Sequence, residues 1–175
     1  ITSQVTTTNT YDPNTGLLSA SFQEQSQESV SADLTRTQTA SHLKLTYGLV
    51  EDVNSNSQID PGDRWGVAQA EDLEIDVSVG FADLLPPGMS GRHAGAVTTT
   101  LDIFGSRTLT LTTNNYLYLE DAQGQKTGQF RAGQVTAASS SLSVEGNRSE
   151  SVTTTTNQYT NGSEQAADLQ QTDWV

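Results

Sequence analysis

Leu73, Ile75, Val77 and Val79 alternate with Glu74, Asp76 and Ser78, and this two-residue period most constrains the fold. Successive side chains of a strand point to opposite faces, so the apolar set shares one face and the acidic set the other. Leu43, Leu45, Tyr47 and Leu49 repeat the pattern upstream. Further strands are predicted at Ser3 to Tyr11, Leu17 to Gln23, Val97 to Phe104, Arg107 to Thr113, Tyr116 to Glu120, Thr127 to Arg131, Ser140 to Val144 and Ser151 to Tyr159. Between them stand turn sequences rich in residues that accept positive φ or preset a turn. These are Asp12-Pro13-Asn14-Thr15-Gly16, Gly105-Ser106, Asp121-Ala122-Gln123-Gly124, Glu145-Gly146-Asn147 and Asn161-Gly162. Ser31 to Ala40 offers a helix-capping start, but Thr35, Thr37 and Thr39 alternate, and β-branched alternation favours a strand. The segment from Ser163 to Leu169 fits a short helix or an extended edge.

The reading is an all-β chain, either an antiparallel β-sandwich or a layered sheet. At 175 residues it has the size of one domain, taken as residues 1–160, with 161–175 as a tail or the start of an inter-subunit contact. Only 33% of the residues are hydrophobic and 6% aromatic, so the core must be thin. Ser and Thr make up about a quarter of the chain and cluster in the strand-like segments, which fits threonine's β preference.

Residues 52 to 63, Asp-Val-Asn-Ser-Asn-Ser-Gln-Ile-Asp-Pro-Gly-Asp, form an oxygen-rich dodecapeptide. Calcium loops place ligands at positions 1, 3, 5, 7, 9 and 12. Here those positions hold Asp52, Asn54, Asn56, Gln58 through its main-chain carbonyl, Asp60 and Asp63. Ile59 occupies position 8, where an aliphatic residue pins such loops to a core. Ser57 stands where position 6 normally has glycine, Asp63 replaces the bidentate glutamate, and Pro61-Gly62 forbids a following helix. Three carboxylates predict weak calcium affinity, on the order of 10⁻⁴ to 10⁻³ M. The alternative is an acidic turn without metal, since Asn, Asp, Ser and Gly favour turns for local reasons. The loop should join strand 43–50 to strand 73–79, an elaborated connection of about 23 residues.

A formal net charge of −13 argues against nucleic acid and anionic membrane surfaces, which repel such a chain. There is no cysteine, so calcium is the available staple in place of disulfides. Membrane insertion is not expected, because no apolar run reaches the 18 residues that a spanning helix needs. The start at Ile1 reads as a processed protein or a fragment.

Catalytic candidates are few. His42 and His93 are the two histidines, and neither lies in a nucleophile pattern. Glu74 and Asp76 share a strand face and would suit a carboxylate pair, but solvated acidic faces are common at this charge. Trp65 and Trp174 read as packing or contact residues.

Val5 to Tyr11 and Val152 to Tyr159 echo each other as threonine runs ending in tyrosine, some 148 residues apart. One unit of an array would give this echo, and so would chance in low-complexity threonine runs. Thr6-Thr-Thr-Asn-Thr-Tyr-Asp-Pro-Asn-Thr-Gly-Leu-Leu-Ser-Ala-Ser21 resembles the tyrosine-aspartate repeats of large secreted bacterial proteins. The Asp52 to Asp63 loop is similar to the Asp-x-Asn-x-Asn-x-x-x-Asp-Pro-Gly-Asp loops of repetitive bacterial and archaeal surface proteins. Together these resemblances imply a non-enzymatic, calcium-stabilised module of an extracellular surface protein or filament. Its partners would be copies of itself or neighbouring units. The alternative they leave is a calcium-dependent adhesive or carbohydrate-binding domain on a surface glycan.

Overall fold

The computed structural model describes residues 1–89, 91–121 and 124–159. Ten strands follow in order: β1 (Thr2–Tyr11), β2 (Leu18–Val30), β3 (Arg36–Glu51), β4 (Arg64–Asp72), β5 (Glu74–Asp76), β6 (Arg92–Ala94), β7 (Ala96–Leu101), β8 (Arg107–Glu120), β9 (Lys126–Leu142) and β10 (Arg148–Thr156). A 3₁₀ turn, Val79–Leu84, separates β5 from β6. The chain is nearly all β, as the periodicity requires.

Eight strands make one sheet in the order β1-β2-β3-β7-β8-β9-β10, with β4 also on β3, while β5 and β6 pair separately. Every pairing is antiparallel. Hairpin turns among the described residues use residues that turn chemistry favours. Asp12 Oδ1, for example, accepts from Asn14 N at 2.8 Å and Thr15 N at 2.9 Å, and Gly16 closes the turn at φ 70°.

The long strand β3 makes the sheet fork. Residues 36–41 pair with β7 and residues 43–51 with β4, along the edge opposite β2. Beyond Thr112, β8 has left β7 and pairs only with β9, so β4 and the far half of the β8–β9 hairpin diverge as two limbs. The limbs touch again where β4 crosses β9. A Cβ on Gly66 would lie 2.6 Å from the Cα of Gly128, a crossing that admits no side chain.

Residues 73–89 and 91–95 fold over one face of the unforked part as a second layer. Ile75, Val77 and Leu84 from this layer pack with Val97, Leu109 and Leu111 from the sheet, flanked by Ala40, Phe81, Leu85, Met89 and Leu142. The architecture is therefore a layered sheet. The opposite face of the same strands carries hydroxyl ladders: Thr39 bonds Thr98 at 3.0 Å, Thr110 bonds Ser139 at 3.1 Å and Thr108 bonds Ser141 at 2.9 Å. Single-sided burial explains how so low a hydrophobic content supports the fold.

Several boundaries differ from the sequence reading. The segment 73–79 is a strand only over Glu74–Asp76; Ile75 and Val77 are core residues, but Val79 is 92% exposed and opens the 3₁₀ turn. Strands predicted separately at 107–113 and 116–120 are one strand, as are those at 127–131 and 140–144. Their middles are polar and were invisible to an apolar period. β4 and β6 were missed. Ser31 to Ala40 divides into a turn with Leu34 at φ 64° and the start of β3. The turn expected at Asn161-Gly162, the segment Ser163 to Leu169, Trp174 and the tail 161–175 lie outside the described residues.

Candidate functional site: the Asp52–Asp63 loop

The dodecapeptide is the whole hairpin connection from Glu51 of β3 to Arg64 of β4, shorter than the connection to residue 73 that the sequence suggested. It folds around its own side-chain oxygens. Asp52 Oδ2 accepts from Ser57 N at 2.7 Å, and Asn56 Oδ1 accepts from Gln58 N at 2.7 Å. Asp63 closes the circle by accepting Val53 N at 2.9 Å and Asp60 N at 2.7 Å. Ser57, at the position where calcium loops need glycine, has φ 60°, and Ser55 has φ 57°. The left-handed backbone is thus present without the glycine that usually permits it.

Asp60 sits at the convergence. Its Oδ2 accepts Asn54 Nδ2 at 2.8 Å and Asn56 Nδ2 at 2.7 Å. These two bonds, Asn54's first, hold the Asp60 carboxyl below its ordinary value of 3.8. The two amide N–H groups stand where a cation would serve, satisfying the carboxylate from the same side. Rotating either carboxamide by 180° exchanges its nitrogen for oxygen, which turns the same residues into a set of neutral and charged oxygen donors. Among the described residues, no group of three or more His, Asp or Glu side chains is gathered as a metal centre. A cation at this loop would therefore need Asn54, Asn56 and the Gln58 carbonyl as well as Asp52, Asp60 and Asp63.

Ile59 departs from expectation. It is 46% exposed rather than pinned to a core, because the loop stands at a hairpin tip. The loop is anchored instead through its neighbour Arg64, which donates to the Lys126 carbonyl at 2.7 Å and reaches Glu51 at 3.4 Å and Asp121 at 3.8 Å. That residue ties the loop to the tip of the β8–β9 hairpin, across the gap between limbs.

A second polar cluster lies at the fork and was not found from sequence. Asp72 Oδ1 accepts the Tyr116 hydroxyl at 2.5 Å, and Oδ2 accepts Asn114 N at 3.1 Å and Nδ2 at 3.0 Å. Burial, then the bond to Asp72 and its negative charge, push the Tyr116 hydroxyl far above its usual value of 10.0. Tyr118 donates no such bond to Asp72; its hydroxyl instead accepts Ala70 N at 3.0 Å. Residues of this cluster line an open cleft of about 400 Å³. Asp72 and Asn114 are 42 positions apart, and no local pattern links them.

The catalytic candidates are occupied otherwise. His93 is buried with Nε2 3.1 Å from the Thr112 carbonyl. Arg92 bridges Glu74 at 3.2 Å and Asp76 at 2.9 Å, which makes that pair a surface ion cluster. His42 lies on β3 opposite Glu24. Trp65 is a packing residue whose Nε1 donates to the Leu18 carbonyl at 3.0 Å. Compared with protein-family models, curated proteins and solved structures, the chain matches none.

Proposed function

We propose that the chain is a non-enzymatic structural module of an extracellular surface protein or filament, stapled by calcium at Asp52–Asp63 and self-associating through β-strands. The observation that supports this most is the pair of outer strands. All ten residues of β1 are exposed, and the strand carries no charge and no proline; β10 ends in an uncharged threonine run. Natural sheets block such edges with lysine, proline or bulges, because unpaired main-chain groups invite another strand. Among the described residues no further strand pairs with either of them.

Calcium acts here on the loop rather than on a substrate. Asp52, Asp60 and Asp63 repel one another, and a divalent ion offsets that repulsion while fixing the hairpin tip. Through Arg64 the fixed tip also holds the second limb. The test is a thermal melt in millimolar calcium and in chelator: a rise in Tm with calcium that is lost in Asp52→Asn is the expected result, and identical melts would refute the staple. Sedimentation across a concentration series tests association, with a monomer at every concentration as the refuting outcome.

One observation favours an adhesive reading, namely the polar cleft at Asp72, Asn114, Tyr116 and Tyr118. Carbohydrate sites combine such amide, carboxylate and aromatic groups. The cleft stands at the other end of β4 from the loop, about 25 Å by strand rise, so a sugar there would not touch the calcium. Glycan-array binding abolished by Asn114→Ala would support this reading over the structural one.

A further inference from the structure

The two outermost strands of the sheet's main path, β1 and β10, carry related sequences. Ser3, Thr6, Thr7, Thr8, Asn9 and Tyr11 each have an identical residue 148 positions later, at Ser151, Thr154, Thr155, Thr156, Asn157 and Tyr159. The hydrogen-bond register yields this offset independently. From Gln4, partner leads to partner through Ser26, Ala40, Val97, Leu111 and Ala138 to Val152, again 148 positions on. Directly paired residues share a face, so Thr2 to Val5 and their counterparts Glu150 to Thr153 lie in common rows on matching faces, while from Thr6 onward the fork breaks the path and the offset continues only along each strand. Six antiparallel pairings separate the strands and restore direction, so β1 and β10 run the same way.

Sequence similarity alone would not require this agreement. A chance threonine echo has no reason to fall on the other outer strand at the offset that the pairing register sets for Thr2 to Val5. β10 is in effect a second β1 whose β2 is missing. Its outward edge presents main-chain donors and acceptors in the phase that β1 presents to β2.

Resting on the reading of self-association above, we propose that β2 of a second copy takes β10 in place of its own β1. Val152 then stands opposite Ser26 and Thr154 opposite Glu24, as Gln4 and Thr6 do within one chain. The main sheet continues unbroken from copy to copy, with every pairing antiparallel. Exchange replaces one set of strand contacts by an equivalent set, the reason swapped elements join protomers at low cost. β1 is suited to leave, since all its residues are exposed and among the described residues its one strand partner is β2. The charges tolerate the exchange: Glu150 would face Glu28, but Arg148 already pairs with Glu150 at 2.8 Å and Arg36 with Glu28 at 2.5 Å.

The absence of cysteine permits a direct test. In Ser26→Cys/Val152→Cys the two thiols lie on strands five places apart in one chain, about 24 Å at the spacing of paired strands and far beyond disulfide reach. Both positions are exposed, and circular dichroism verifies that the variants fold. Under mild oxidation at concentrations where the parent chain sediments as an oligomer, this pair should give disulfide-linked oligomers. Gln4→Cys/Val152→Cys should give none. Linkage in the Gln4 pair instead would show that edges abut with β1 still in place, and a dimer from Val152→Cys alone would show β10 paired with itself. Either outcome overturns the exchange while leaving self-association standing, as does an oligomeric parent whose Ser26 pair stays unlinked. A parent that remains monomeric throughout overturns both.

Discussion

Gly95 shows how one residue can hold two layers in place. It stands between β6 and β7, where the covering layer rejoins the sheet, with φ 128°, and a Cβ there would lie 2.0 Å from the Thr112 carbonyl oxygen. Gly95→Ala therefore meets both a backbone conformation that only glycine accepts readily and an immovable oxygen. A loss of about 3 kcal/mol or more is expected by denaturant titration, and a cost below about 1 kcal/mol would mean the crossing is loose. Tyr116 offers a gentler probe at the fork. Tyr116→Phe removes the bond to the Asp72 carboxylate and should cost about 1.5 kcal/mol, the lower end for bonds to charged groups, because Asn114 still serves Asp72. The pH dependence has a definite sign. Folding raises the Tyr116 pKa above 10.0, so its contribution is complete below pH 10 and is lost as pH rises beyond it. Parent and Phe variant should thus converge in stability at alkaline pH; parallel curves would exclude the phenol as the cause.

At the scale of elements, most hairpin turns were legible in the sequence, whereas the turn at Ser31 to Thr35 and the strand lengths were not. A turn such as Asp12 to Gly16 declares itself because its chemistry is local: an Asx side chain capping its own backbone and a glycine at positive φ. The Asp52–Asp63 segment was legible as a loop for the same reason, though read as part of a longer connection to residue 73. What its sequence could not convey was its seat at a hairpin tip, and so Ile59 was assigned a core it does not have. The middle of β8, Thr112 to Asn115, carries no apolar alternation, yet it is strand throughout because β9 pairs with it. β4 was hidden likewise, its sequence Arg-Trp-Gly-Val-Ala-Gln-Ala-Glu-Asp having no two-residue period and its pairing being with β3. Arg64 is the link that makes the loop matter beyond itself. Arg64→Ala should leave any calcium-induced rise in Tm of the loop hairpin intact but uncouple it from residues 126–130, seen as faster amide exchange at that second tip with calcium present. Unchanged exchange there would mean the limbs are held without Arg64, by the Gly66–Gly128 crossing and the bonds of Asp72 and Ala70 to β8.

Stability across the whole molecule should be uneven, because its apolar contacts are concentrated in one place. The largest buried cluster lies under residues 73–89 and 91–95, at Val97, Leu109 and Leu111, where each buried aliphatic side chain contributes about 1.5–3 kcal/mol. Outward from there the sheet becomes a single polar layer, held by main-chain bonds and hydroxyl ladders that each add about 1 kcal/mol or less. At a net charge of −13 the outer strands also gain nothing from bulk electrostatics. Native-state hydrogen exchange should therefore form a gradient, with protection near the global unfolding free energy in β7 and the paired stretches of β3 and β8. Protection should fall through β2 and β9 and be lowest in β1 and β10. The gradient follows from the same geometry that leaves the two edges open: a strand with no apolar anchor is both the first to leave its own sheet and the one most readily replaced. Uniform protection from β1 to β10 would contradict this, because it would require a source of edge stability other than burial. If the edges open as argued, self-association should slow exchange selectively at β2 and β10 as concentration rises, while the central strands stay unchanged.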